Sequence, residues 1–279
     1  MIGIETNRRS SRLILWILLV VVLVIFGFPF LYLLLTSFKT PLDALAVPPS
    51  VLPSVWTLEN YVTALSKDGV VPALINSTVT AVLSTAFSLV LAVPAAYAIT
   101  RYRTPSGQVF VMAALVTRMV PTIAVGAPLI ETMRVLGISD TSLGLAIAHT
   151  TLSLPLSIWL MASFFEAVPD ELEEAARVDG ASRLGALWRV VIPVVSGGLA
   201  VTAIFAFLAS WNEFLFSLLL TSVRAQTTPI MIANFQTQFG LDWGGMTALA
   251  AIYSVPVILL TLALQRHIVA GLTLGAVKG

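Results

Sequence analysis

Long continuous runs of apolar residues, separated by short polar stretches, set the organisation of this chain. A helix rising ~1.5 Å per residue needs roughly 20 apolar residues to cross a hydrocarbon layer ~30 Å thick. Six segments meet that length: Leu13–Leu35, Leu74–Ile99, Val109–Ile130, Leu143–Phe165, Gly197–Leu220 and Gly245–Leu264. Lipid offers backbone amides no partner, and the runs lack the period-two alternation of a barrel. The predicted fold is therefore an all-α integral membrane protein, with residues 1–279 forming one transmembrane domain. Prolines fall inside most of the spans, at Pro29, Pro94, Pro121, Pro128, Pro155 and Pro256. Each frees a carbonyl and bends its helix; membrane helices commonly tolerate this, and the alternative is a set of hinges around a pathway.

Composition narrows the class. Of 279 residues, 58% are hydrophobic and only 10% charged, which excludes a water-soluble globule. The formal charge of +1 leaves no basic surplus for a phosphate backbone, so nucleic-acid binding drops out as a main role. With no cysteine there is no disulfide framework, iron–sulfur cluster or thiolate zinc site. Charge also sets orientation. Ten basic residues, Arg8, Arg9, Arg12, Arg101, Arg103, Arg177, Arg183, Arg189, Arg266 and Lys278, fall at the two ends and in the loops at 100–108 and 166–196, against four in the other loops, Lys39, Lys67, Arg134 and Arg224. The positive-inside rule then predicts that both termini are cytoplasmic. The first span follows three arginines, but its 23 residues exceed a signal-peptide core and no small-x-small cleavage site follows, so it reads as a retained anchor. The external loops are Thr36–Ala73, with Pro48, Pro49, Pro53, Trp56 and Tyr61, and the polar stretch Thr221–Gly244.

The cytoplasmic segment Glu166–Pro193 reads EAVPDELEEAARVDGASRLGALWRVVIP and is too polar to cross a membrane. Pro169 suits a first helical turn, and Asp170, Glu171, Glu173 and Glu174 set negative charge at the positive end of a helix dipole. A helix from about Pro169 to Val178 is predicted, then a turn at Gly180. A second helix follows, with Leu184, Leu187, Trp188 and Val191 on one apolar face. On the first helix Leu172, Ala175, Ala176 and Asp179 share a face, flattened by the two alanines. Such a knob suits the groove of a soluble partner, or equally rests as an amphipathic hairpin on the lipid surface.

The run EAARVDGA, Glu174 to Ala181, followed ten residues later by Ile192–Pro193, resembles the EAA signature of permease subunits of bacterial ATP-binding-cassette (ABC) importers. Further stretches are similar to the carbohydrate branch of that family, the maltose-like and trehalose-like importers: Ser37–Lys39, Asn76–Ser77, Ala95–Tyr97, Trp211–Thr221 and the ending Gly271–Gly279. The resemblance implies a type I importer permease fold. It also implies an ATPase-coupling element made of Leu172, Glu174, Ala175, Ala176, Asp179, Gly180, Ala181 and Arg183. The implied complex is a heterodimer with a second homologous permease, set in the lipid of the cell inner membrane, with two ABC ATPase subunits and an extracytoplasmic solute-binding protein. The family often has an aromatic residue where this chain has Leu187, and a second proline where it has Gly197.

No Walker-type glycine loop occurs, so the chain itself holds no nucleotide and is not an enzyme; ATP and Mg belong to the partner ATPases. No catalytic or metal site is predicted. Charged groups at membrane depth face cavities or partners. Arg118 lies nine residues into the third span and Glu213 sixteen into the fifth, with His149 six residues from the end of the fourth. Arg118, His149, Asn212 and Glu213 are candidates to line the interior. The alternatives are a structural Arg118–Glu213 ion pair and an interhelical hydrogen bond from His149. Trp211, Asn212, Asn234 and Gln236 are candidate sugar contacts, since sugars take aromatic stacking and neutral polar groups. The expected cargo is a di- or oligosaccharide, glycoside or polyol. A gradient-driven transporter or channel, or a permease for glycerol phosphate, is the competing reading. An intramembrane hydrolase is disfavoured, because the chain offers only His149 and His267 as bases. The tail Gly271–Gly279 reads as a disordered end or, by the resemblance, as a segment reaching into the ATPases.

Overall fold

A computed structural model describes residues 5–102, 105–237 and 240–276, with side chains described for 12–102, 106–236, 240–263 and 265. Arg103 and Lys278 lie outside the described residues, as do the side chains of Arg8, Arg9, Arg266 and His267. The elements are α1 (Glu5–Ser37), α2 (Pro41–Ala44), α3 (Glu59–Ser66), α4 (Val70–Tyr102), α5 (Pro105–Thr117), α6 (Thr122–Val135), α7 (Ser142–Glu166), α8 (Asp170–Val178) and α9 (Arg183–Ala186). A π-helical turn, Leu187–Val191, leads into α10 (Ile192–Val194), α11 (Ser196–Trp211), α12 (Leu215–Leu220), α13 (Thr228–Ala233), β1 (Gln236–Thr237), β2 (Gly240–Leu241) and α14 (Trp243–Ala276). Among the described residues four helices are long and apolar enough to span a membrane by themselves. Two bent pairs raise this to six if each pair is one span.

The chain forms two compact units, one from residues up to 68 with 232–254, the other from 69–231 with 255 onward. In the second unit α4 and α7 pack along their length. The buried face of α4 is a stripe of small residues, Ala73, Ser77, Thr80, Ala81, Ser84, Ser88, Ala92 and Ala96, recurring every three or four positions. Between helices in lipid, close backbone approach and interhelical hydrogen bonds replace the hydrophobic effect. Accordingly Ser88 and Ser153 share a hydrogen bond of 2.6 Å, and Thr150 reaches Ser84 at 3.4 Å. Gly198 on α11 lets that helix approach α7 so closely that a Cβ there would lie 2.3 Å from the Phe164 ring.

Two segments depart from the continuous spans that composition predicts. Val109–Ile130 is two helices: α5 tightens through three successive i→i−3 bonds at Arg118, Met119 and Val120, and α6 restarts after Pro121, bent by 95°. Pro121 has no N–H to continue the ladder, and its ring pushes Val120 out of helical geometry. Gly197–Leu220 likewise ends as a helix at Trp211 and resumes at Leu215, and its start is bent by 82° from the helix that precedes it. The last helix continues to Ala276, so most of Gly271–Gly279 is helical rather than an irregular tail, with 277–279 outside the described residues.

In the first unit Asn60 donates to the carbonyls of Ser37 and Lys39, at 2.9 and 2.7 Å, and so ties α3 to the end of α1. Lys39, 1% exposed, donates to Ser50 and lies 4.8 Å from the Tyr32 ring centroid. Back in the second unit, Asp140 sits in the α6–α7 turn at φ 52° and accepts from the backbone N–H groups of Ser222, Val223, Arg224 and Ala225 at 3.0–3.1 Å. Burial opposes its ionisation, but those four donors outweigh burial and hold the carboxyl well below the usual aspartate range.

Gly198→Ala is expected to lower thermal stability by about 1–3 kcal/mol, through forced displacement of the Phe164 ring. Asp140→Asn is expected to cost about 1–2 kcal/mol at neutral pH. A depressed carboxylate pKa stabilises fully above the unfolded value of ~3.9 and fades as pH falls through the folded one. The wild-type advantage over Asp140→Asn, read by thermal unfolding, is therefore flat from pH 8 to 5 and shrinks in stronger acid.

Candidate functional site

The acidic segment between α7 and α11 folds as a short hairpin. Pro169 closes the loop after α7, and α8 begins at Asp170 with Asp170, Glu171 and Glu173 in its first turn. Its end is a Schellman motif: Gly180 N–H bonds to Arg177 O at 3.1 Å and Ala181 N–H to Ala176 O at 3.0 Å. Gly180 has φ +89°, a left-handed conformation that glycine adopts without steric cost. Ser182 then caps α9, accepting from Gly185 N–H at 3.1 Å. The predicted second helix is not regular. After one α turn it widens to a π turn over Leu187–Val191, ahead of Pro193 and the bend at Val195.

Of the coupling candidates, Leu172, Glu174, Ala175, Asp179 and Gly180 are exposed, and Ala176 and Ala181 are half-buried. Arg183 is exposed and stacks 5.2 Å from the Tyr102 ring centroid. The opposite side of α8 carries Glu173, the buried residue of that helix. Tyr97 O–H donates to Glu173 Oε1 at 2.5 Å, and Arg101 Nε lies 3.1 Å from Glu173 Oε2. Arg101 also pairs with Asp170 and donates to the carbonyl of Val168 at 3.3 Å. Below this cluster, Val93, Ala96, Tyr97, Met161, Ala162, Phe165, Leu187 and Val191 form one apolar core. Sequence reasoning missed the Tyr97–Arg101–Asp170–Glu173 cluster. The available signal is that Asp170 and Glu173 recur at i and i+3, one turn apart at the start of the helix.

The interior candidates divide. His149 is 1% exposed; its Nδ1 lies 2.8 Å from Ser210 Oγ and its Nε2 3.2 Å from Glu213 Oε2. Both Glu213 oxygens accept from Phe216 N–H at 2.9 Å, and Oε2 also from Ser217 N–H at 3.2 Å, so Glu213 caps α12. Hydroxyl, imidazole and carboxylate in a row have the composition of a hydrolytic triad. Ser210, however, is 4% exposed, and the row fastens α7 to the α11–α12 break. The proposed Arg118–Glu213 pair is not made, because Glu213 is committed to His149 and to α12. Arg118 lies instead at the exposed corner between α5 and α6, beside a cavity of about 340 Å³ lined also by Thr117, Thr122, Thr151 and Leu152. Trp211 is buried and stacked on Phe207 at 5.2 Å. Asn212 is exposed and turns back to donate to Leu208 O at 3.0 Å. Asn234 and Gln236 belong to the other compact unit, both exposed. Among the described residues no group of three or more histidine, aspartate or glutamate side chains is arranged to hold a metal ion.

A bent apolar bundle carrying a small acidic hairpin is the fold of an ABC importer permease. The chain superposes with a TM-score of 0.78, at 23% identity and over 93% of its length and 97% of the other, on a chain of a bacterial ABC transporter involved in the import of the acidic polysaccharide alginate. The profile of the family described as "binding-protein-dependent transport system inner membrane component" matches residues 88–274. The chain is 37% identical over 275 residues, 98% of its length and 99% of the relative's, to the probable ABC transporter permease protein y4oR of Sinorhizobium fredii. It is 39% identical over 232 residues, 82% of its length and 85% of the relative's, to the trehalose transport system permease protein SugB of Mycobacterium tuberculosis. The chain belongs to that inner membrane component family and is a multi-pass membrane permease.

Removing one partner of the His149–Glu213 pair leaves a buried polar group unmatched and uncaps α12. Glu213→Ala is expected to lower stability by about 2–4 kcal/mol, and Glu213→Gln by less, because an amide oxygen still accepts the Phe216 N–H. Thermal unfolding of the two variants in lipid nanodiscs checks the order.

Proposed function

We propose that this chain is one permease subunit of an ATP-driven sugar importer of the cell inner membrane. It crosses the bilayer six times with both termini in the cytoplasm, and it works by alternating access. A second homologous permease, two ATPase subunits that bind ATP and Mg, and an external solute-binding protein complete the complex. The observation that carries this reading is α8, a rigid acidic helix held by its buried Glu173 so that Leu172, Glu174, Ala175 and Gly180 stand clear of the bundle. A protein that only conducts down a gradient has no use for such a foot; one driven by a separate ATPase requires it. ATP-driven closure of the ATPases biases the permease between inward-open and outward-open states, because the hairpin engages them differently in each. The cavity beside Arg118, Thr117, Thr122 and Thr151 supports a solute path along the α5–α6 corner. Sugar is the cargo class on the strength of relatives named for trehalose, diacetylchitobiose and sulfoquinovosyl glycerol transport.

Reconstitution of the chain in proteoliposomes with its partner permease, ATPase and binding protein tests the reading. Uptake of a labelled disaccharide panel is expected to require ATP and the binding protein, and uptake driven by an ion gradient alone refutes it. Ala175→Arg, at an exposed position, is expected to leave thermal stability unchanged. The same variant is expected to weaken retention of the ATPase about tenfold, measured by co-purification.

A further inference from the structure

Three connections tie α8 to the bundle. The segment 167–169 joins it directly to α7, and a longer path runs through the Gly180 turn, a four-residue helix, a π turn and the 82° bend at Val195 to α11. The non-covalent one is short and buried. Glu173 and Arg101 are 10% and 11% exposed at the side chain, and Glu173 meets both Tyr97 and Arg101. Arg101 reaches on to Asp170 and to the Val168 carbonyl, so one guanidinium grips the loop before α8, its first residue and its buried face. Arg183, on α9, lies over the Tyr102 ring and attaches the other arm of the hairpin to the end of α4. A guanidinium hydrogen-bonded to one carboxylate and a carbonyl, and ion-paired with the second carboxylate, fixes orientation as well as distance.

On the reading that α8 docks on the ATPase, we propose that Tyr97 and Arg101 are positioning residues that make α4 and α8 one rigid lever. ATPase movement then enters the bundle through α4 as well as through the short link to α7, and the small-residue face of α4 keeps the two helices together.

The cysteine-free chain permits a direct test. Spin labels at Glu171→Cys on α8 and at Val90→Cys on α4, both exposed, report the separation of the two helices in the assembled importer. The separation is measured before and after addition of Mg-ATP with vanadate. The wild-type background is expected to keep one narrow distance through both states. Arg101→Gln is expected to broaden it and shift it by ~2 Å or more on nucleotide binding, with import per ATP hydrolysed falling about tenfold. Arg101→Lys, which keeps a cation near Glu173 but loses the planar fork that also reaches Asp170 and Val168, is expected to narrow the distance only in part. Tyr97→Phe removes only the hydroxyl and keeps the ring edge-on to Phe165 at 6.0 Å. It is expected to broaden the distance less, and it decides the matter alone should Arg101→Gln fail to assemble. A wild-type separation that changes with nucleotide, or Arg101→Gln and Tyr97→Phe variants that both hold the wild-type distance, overturns the lever. An ATPase that does not bind the wild-type chain overturns the docking reading as well.

Discussion

A backbone inside hydrocarbon has no water to turn to, so every place where a helix stops must find its hydrogen-bond partners within the protein. That constraint governs the bundle. At the α11–α12 break the free N–H groups of Phe216 and Ser217 are taken by Glu213, and the charge this brings into the interior is met by His149, itself bonded to Ser210. At the α5–α6 corner the last turn tightens to i→i−3 bonds before Pro121, which has no N–H to satisfy. Elsewhere serine and threonine hydroxyls return to their own helix carbonyls, as Thr85, Thr100, Ser157 and Thr202 do, or cross between α4 and α7. The polar groups of the interior are thus mostly the hardware of bending and packing, and Arg118 differs in facing a cavity.

This explains which parts of the molecule are legible in its residues. Length and apolarity reveal membrane helices because the bilayer imposes both, and the acidic, alanine-faced segment with Gly180 reveals a capped helix and a left-handed turn because those depend on neighbours along the chain. The breaks at Arg118–Pro121 and Asn212–Phe214 are invisible to hydropathy, since the residues on either side are as apolar as in a straight span. Pro121 is a partial signal, diluted by Pro94, Pro155 and Pro256, which sit within helices that continue past them. Long-range pairing is the other blind spot. Nothing near Glu213 in the chain marks His149 rather than Arg118 as its partner, and Arg101 reads as one more positive-inside residue until the fold brings Asp170 and Glu173 to it.

Several short motifs that carry the family likeness acquire separate physical tasks. Asn76 donates to the carbonyls of Arg224 and Gln226, and Ser77 bonds Thr228, so this pair pins the segment after α12. Lys39 buries its amine against Ser50 and Tyr32 and orders the loop after α1. Tyr97 reaches Glu173. Each is a contact across many residues, made by a side chain whose replacement leaves a buried donor or acceptor unmatched.

The cluster at Arg101 is a poor way to gain stability. Removing two charges from water costs several kcal/mol that their attraction only partly returns, and apolar residues of equal volume commonly do as well. What apolar packing does not supply is direction: a leucine in place of Glu173 would make no directed contact with Tyr97 or Arg101 and would leave α8 freer to roll about its axis. Two carboxylates set one turn apart and gripped by a single planar guanidinium remove that freedom. Rolling α8 by a single position would turn Glu173 away from Tyr97 and Arg101, so the side of the helix left exposed is decided at its buried side. The charge pair is therefore best understood as the element that fixes which face of α8 is exposed, and the flat outer surface around Ala175 as the consequence.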